Sequence, residues 1–256
     1  TAHFNTVLYT GNGTAIGSGG QVITGVGFQP DFVWIKQRSS SAGTEPPTVT
    51  DAVRGATKYL ETSNAAMEAT DVEMVNTFDS DGFTIGDQNR VNESTDPYVS
   101  WNWKGDGVSG GTLNQDGDID SYVNVNTTAG FSIVKYVGTG TAGDTVGHGL
   151  SSTPEIIFVK NRDTGGNWMG GVTVVGWDYN MVLETATAKE LGTSFWNDAS
   201  PSASVFTLGT NAAGNQSTKN IIAYCFHSVE GYSKMGGYTG NGDDDGPFVY
   251  TGFRPS

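Results

Sequence analysis

The chain has 256 residues, 37 of them glycine, a formal net charge of −14 and only 16% charged residues. With 13 Lys and Arg against 27 Asp and Glu there is no basic face to neutralise phosphates, which argues against nucleic acid as a partner. No apolar run approaches the roughly 20 residues needed to cross a bilayer as a helix, and a single cysteine, Cys225, rules out an internal disulfide framework and a cysteine-based zinc site.

Many short apolar runs between Gly, Ser, Thr and Asn predict an all-β chain. Residues 4–9 alternate and end in Tyr9-Thr10-Gly11-Asn12-Gly13, whose Asn-Gly signals a tight turn. A second strand is predicted over 21–26, then the central one in Pro30-Asp31-Phe32-Val33-Trp34-Ile35-Lys36-Gln37-Arg38. An uninterrupted apolar run bounded by proline and charge suits a strand buried on both faces. Proline leads into such a strand but cannot serve in its middle. Residues 39–47 read as a polar surface loop, and Asp51 and Arg54 as a local pair ahead of a turn at Gly55. A strand follows over 58–62, one helical turn over 65–71, and a hairpin turn at Asp79-Ser80-Asp81-Gly82 before the strand 83–85.

The chain then repeats itself. The central strand returns as Pro154-Glu155-Ile156-Ile157-Phe158-Val159-Lys160-Asn161-Arg162, Phe83-Thr84-Ile85-Gly86 as Phe206-Thr207-Leu208-Gly209, and Leu60-Glu61-Thr62 as Leu183-Glu184-Thr185. The last two pairs share an offset of 123, and Val99, Trp101 and Trp103 match Ile222, Tyr224 and Phe226 at that same offset. A third copy opens at Tyr238-Thr239-Gly240-Asn241-Gly242 and runs to Ser256, short of its own central strand. The period is far too long for a solenoid, so whole domains in tandem are expected. The expected fold is tandem antiparallel β-sandwich (jelly-roll-like) domains: residues 1–106, a Gly/Asp-rich linker 107–130, residues 131–233, and the start of a third repeat, 234–256, of a longer parent protein.

Candidate sites are few. Asp116, Asp118 and Asp120 offer oxygens of the kind calcium takes, but without the loop length and distal Glu of an EF-hand, so a linker β-turn is the competing reading. Asp79 and Asp81 invite a similar reading, yet Ser202 and Ser204 stand at the matching positions, so these carboxylates are not part of the shared design. Trp168, Trp177 and Trp196 lie where the repeats differ most; they either stack on a host glycan or fill a core. Cys225 reads as a buried thiol, and His3, His148 and His227 belong to no metal spacing or nucleophile motif. No catalytic pair and no cofactor is singled out, calcium aside.

The set Tyr-Thr-Gly-Asn-Gly (9–13), Gly27-Phe28 through Arg38-Ser39, Asp51 to Gly55, Phe78 to Phe83 and Tyr98 to Lys104 resembles a domain family of marine tailed bacteriophages. In the second repeat the likeness rests on Thr145 to Leu150, the central strand, and Ala223-Tyr224-Cys225-Phe226 through Gly231-Tyr232-Ser233-Lys234. That family occurs in tandem in tail-fibre and other virion structural proteins. The resemblance implies a non-enzymatic virion component, carried on the particle surface in a tail-fibre or head-fibre type appendage. Other virion proteins are then its partners, with a homo-oligomer expected and a trimer the form the resemblance favours. The alternatives are a receptor-binding, lectin-like module for a host surface polysaccharide and, behind it, a polysaccharide-degrading enzyme.

Overall fold

The computed structural model describes residues 2–39, 43 and 45–254. Part of the loop expected over 39–47, and Pro255 and Ser256, lie outside the described residues. The first half carries β1 (Phe4–Thr10), β2 (Gln21–Ile23), β3 (Phe32–Gln37), β4 (Thr48–Asp51), β5 (Lys58–Glu61), β6 (Ala69–Thr70), β7 (Val75–Asp79), β8 (Gly82–Ile85), the helical turn α1 (Asn89–Asn92) and β9 (Pro97–Trp103). The second carries β10 (Thr112–Asn114), β11 (Ser121–Asn126), β12 (Phe131–Val137), β13 (Thr145–Gly147), β14 (Ile156–Asn161), β15 (Met169–Val172), β16 (Tyr179–Val182), β17 (Glu190–Leu191), α2 (Thr193–Trp196), β18 (Val205–Thr207), α3 (Ala212–Asn215) and β19 (Asn220–Phe226). The chain is all-β, built of antiparallel sheets packed as sandwiches.

A six-stranded sheet runs β1-β9-β3-β4-β5-β6, and an eight-stranded sheet runs β10-β11-β12-β19-β14-β15-β16-β17. From β12 onward the second order copies the first strand for strand. The rungs agree as well: Thr6, Trp101 and Trp34 stand side by side, and so do Ile133, Tyr224 and Phe158. Leu60 and Leu183 do not hold this register. Leu60 shares a rung with Val49 and Trp34, whereas the matching rung through Gly170 and Phe158 ends on Met181. The β3–β4 and β14–β15 connections differ in length, and the ladder absorbs the difference.

Alternation along the central strands sets the layers. Val33 and Ile35 face one side, into a core with Ile23 of β2 and Phe83 and Ile85 of β8. Ile157 and Val159 likewise meet Val146 of β13 and Phe206 of β18. Phe32 points the other way and joins a third core with Phe131, Ile133, Ile222 and Tyr224. The two large sheets are therefore packed face to face, each with a small sheet on its outer side. Phe32, Val33 and Ile35 are all buried, as a strand covered on both faces requires.

Two buried asparagines close the same corner in each half. Asn92 accepts from the amide of Asn12 at 2.7 Å and donates to Gly86 O at 2.6 Å; Asn215 accepts from the amide of Thr139 at 2.9 Å and donates to Gly209 O at 2.8 Å. The glycine of each Tyr-x-Gly motif, Gly11 or Gly138, passes so close to Glu93 O or Gln216 O that no Cβ fits.

Two expectations are corrected. Residues 107–130 are not a bare linker: β10 and β11 extend the second sheet, because Val123 and Val125 alternate inward onto its core. The helical turn expected over 65–71 is extended instead and carries β6. Glu68 N and Asp71 N are drawn to Arg162 O and Thr57 O, which leaves no local partner for a helix. Residues 236–254 form no strand, and Tyr238, Phe248 and Tyr250 stand exposed.

Candidate functional site

The densest chemistry lies at the seam between the large sheets. Asp51 ends β4, and its Oδ1 accepts the amides of Val53 (3.0 Å) and Arg54 (2.8 Å), which curls Asp51-Ala52-Val53-Arg54-Gly55 into a tight turn. That turn swings the Arg54 guanidinium back, so that Nε donates to Asp51 and Nη2 to Val49 O at 3.0 Å. The local pair read from the sequence is therefore present. The turn also presents both side chains to the opposite sheet. Tyr224 on β19 donates its hydroxyl to Asp51 Oδ2 at 2.7 Å and accepts from Arg54 Nη2 at 3.1 Å.

Arg54 Nη1 reaches Glu68 at 3.2 Å, and Glu68 takes Nε and Nη2 of Arg162, both at 2.8 Å, from the far end of β14. Two arginines, two carboxylates and a phenol thus form one network across the seam, buried at Asp51, Arg54, Arg162 and Tyr224 and half-buried at Glu68. Burial alone disfavours the Arg54 charge, but Asp51, Tyr224 and Glu68 outweigh it and hold the guanidinium above its ordinary range. Burial also works against the Glu68 carboxylate, yet the hydrogen bond from Arg162 and the charge of Arg54 leave its pKa below the usual value. Burial pushes the Tyr224 phenol well up. These side chains are turned towards each other across the seam, so the network acts as a clasp.

Around the clasp the seam is aromatic. Phe32 meets Tyr224 edge-on at 4.7 Å and Phe131 at 5.8 Å, and Trp103 lies 6.2 Å from both Phe131 and Phe226. Where the sheets diverge they leave a cleft of about 240 Å³, walled by Trp34 and Trp103 on one side and Ile156, Phe158 and Phe226 on the other, with Met235 at its rim. Among the described residues no carboxylate, histidine or lysine lines it. It offers mostly apolar and aromatic contact, with Thr62 and Tyr224 also in its lining.

The three tryptophans are inside the protein. Trp168 is 1% exposed, stacks on Tyr224 at 6.0 Å and donates its indole N–H to Glu61 O at 2.8 Å, pinning the β14–β15 connection to β5. Trp177 and Trp196 meet edge to face at 5.0 Å in the second half's outer core, where Gly171 leaves them room. A glycan cannot stack on rings that are covered on both faces, so the core-packing reading holds and the sugar-stacking reading of Trp168, Trp177 and Trp196 falls.

The aspartates of 116–120 do not converge. Asp116 accepts from Asn114 Nδ2 at 2.9 Å, Asp118 from the Thr145 hydroxyl at 2.7 Å and amide at 3.1 Å, and Asp120 from Gln115 Nε2 at 3.2 Å. The Thr145 hydroxyl and amide hold the Asp118 carboxyl below its ordinary pKa. Each carboxylate braces its own stretch of turn, and among the described residues no three His, Cys, Asp or Glu come together to hold a metal ion. The calcium reading of Asp116, Asp118 and Asp120 therefore lacks a cage.

Asp79 and Asp81 also serve turns. Asp81 accepts the amides of Gly25 (3.0 Å) and Gly27 (2.6 Å), which lower its pKa, and Asp79 takes the hydroxyls of Thr77 and Thr84. Cys225 is fully buried, and burial raises its thiol pKa. His148 is buried too; its Nδ1 accepts the amide of Leu150 at 3.1 Å, and desolvation lowers its pKa to about 4.

Sequence reasoning missed Glu68, Arg162 and Tyr224 as parts of one network, since they lie in separate segments and no local pattern pairs them. The paired asparagines were detectable, because Asn92 and Asn215 stand at the same offset of 123. No curated protein and no solved structure matches the chain. One family model, described as Domain of unknown function (DUF7483), matches residues 1–256, and the chain belongs to that family.

Proposed function

We propose that this chain is a non-enzymatic structural module of a bacteriophage virion, a segment of a tail-fibre or head-fibre type appendage. The reading starts from the resemblance of its motifs to virion domains, and the observation that carries it is the seam. A spacer in an appendage has to hold its length and direction under load, which a flexible linker between domains would not do. Here the matching sheets are joined by aromatic packing and by the clasp of Asp51, Arg54, Glu68, Arg162 and Tyr224. The cleft beside the seam lacks the two facing carboxylates, about 5 to 9.5 Å apart, that glycoside hydrolysis uses. With Trp168, Trp177 and Trp196 buried, the lectin-like alternative loses the aromatic rings proposed for it.

The test is to raise antibodies to the folded chain and apply them to purified particles of a phage that encodes it, viewed by electron microscopy. Decoration of an appendage is the expected result. Detection in infected-cell lysate but never on particles would contradict the reading.

A further inference from the structure

β1 is one edge of the six-stranded sheet, whereas its counterpart β12 lies inside the eight-stranded sheet. What covers β12 is β11, paired antiparallel with Ile133 opposite Asn124 and Lys135 opposite Tyr122. The equivalent positions on β1 are Thr6 and Leu8, because Thr6 shares its rung with Trp101 and Leu8 with Val99, just as Ile133 does with Tyr224 and Lys135 with Ile222. The same backbone position is thus covered in one half of the molecule and open in the other.

The hydrogen-bond phase of β1 says which groups are open. Lys104 donates to His3 O and Gly11 to Asp96 O at the two ends of the β1–β9 ladder. In an antiparallel pair the bonded rungs alternate, so Asn5, Val7 and Tyr9 bond to β9 while Thr6 and Leu8 turn their amides and carbonyls outward. The Thr6 amide meets the side chain of its neighbour Asn5 at 3.0 Å, and Leu8 is 62% exposed.

Edge strands are ordinarily blunted by charge, proline, a bulge or shortness. β1 has none of these: it is seven residues long, Phe-Asn-Thr-Val-Leu-Tyr-Thr, and pairs with β9 without a register shift. The other edges of the two large sheets are short, with three residues in β10 and two each in β6 and β17.

We propose that β1 is a strand-pairing edge that receives β1 of a second copy of this chain, antiparallel and centred on Val7. Thr6 then faces Leu8 of the second copy, and Leu8 faces its Thr6. The outward phase makes this pairing self-complementary, since the groups each strand presents at these two positions are those the other lacks. One strand supplies both sides of a twofold contact. The absence of charge on β1, in a protein of net charge −14, removes like-charge pairs from the meeting line. Two six-stranded sheets become one continuous sheet.

The experiment is a concentration series by sedimentation equilibrium at about 0.15 M salt, where long-range repulsion is screened. It compares the unaltered chain with Leu8→Lys and Thr6→Pro. Leu8→Lys places a charge opposite the pairing line. Thr6→Pro removes an outward N–H that β9 does not use, and proline is tolerated on an edge strand in that orientation. The unaltered chain is expected to pass from the mass of one chain to that of two. In both variants the dissociation constant should rise about tenfold or more, equivalent to about 1.4 kcal/mol, with the melting temperature little changed. A one-chain mass throughout, a three-chain mass, or a dimer equally tight in both variants would overturn the proposal.

Discussion

Arg54 and Tyr224, 170 residues apart in sequence, meet at 3.1 Å across the packed faces of two sheets, and Asp51 accepts the tyrosine's hydroxyl hydrogen bond at 2.7 Å. The contact joins a turn of the first half to β19 of the second. Removing one member of a buried ionic network leaves the others desolvated and unpaired, at a cost of about 3–5 kcal/mol. Arg54→Met is therefore expected to destabilise the protein by that amount in urea unfolding. A loss below 1 kcal/mol, on the order of an exposed pair, would mean the clasp is solvated.

Tyr224→Phe isolates the phenol. It keeps the ring against Phe32 and deletes two hydrogen bonds to charged partners, so a loss of about 1.5–3 kcal/mol is expected. Asp51 keeps its amides and Arg54, which is why this change costs less than removing the arginine.

Trp168→Ala opens a cavity in the seam and frees the carbonyl of Glu61. About 3–5 kcal/mol should be lost, as for other large-to-small core changes. Near-neutral stability, together with loss of binding to a polysaccharide, would restore the glycan reading that burial overturns.

His148 sets an acid limit. Its folded pKa, about 4, lies below the unfolded value near 6.5, so the unfolded chain takes up the proton first as the pH falls. Stability should drop between pH 6.5 and 4 by about 3 kcal/mol and lose no more from this group below that. Asp31, whose pKa burial raises, works in the opposite sense, so the diagnostic quantity is the difference between the unaltered chain and His148→Gln across that window. Parallel curves for the two proteins would remove His148 from the account.

Cys225 provides a check on the strand assignments. It faces the second half's outer core beside Ile157 and Ala223, and burial keeps its thiol protonated. A thiol reagent should fail to label it in the native protein and label it fully in denaturant. Rapid native labelling would mean that β19 is exposed on that face.

Local chemistry made much of the fold legible. The apolar runs at Phe32 and Ile156, the Asp-Gly hairpin at Asp81-Gly82 and the alternation of Trp101 and Trp103 each carry their own signal, and each stands as a strand or turn where expected. β10 and β11 were hidden because glycine and aspartate dominate their surroundings, and only Val123 and Val125 betray the period of two. The seam was hidden for another reason. Asp51, Arg54, Glu68, Arg162 and Tyr224 belong to different segments, and no local pattern tells which face of one sheet meets which face of another. Trp168, Trp177 and Trp196 were ambiguous because large rings on connecting segments suit a sugar and a core equally well.

The central claim is that the two halves stand or fall together through the seam. The most direct measurement is equilibrium urea unfolding followed in parallel by tryptophan fluorescence and far-ultraviolet circular dichroism, for the unaltered chain and for Arg54→Met. A single coincident transition that shifts as a whole in the variant is the expected result. Two separate transitions, with Arg54→Met moving only one of them, would show that the halves fold independently and that the clasp does not unite them.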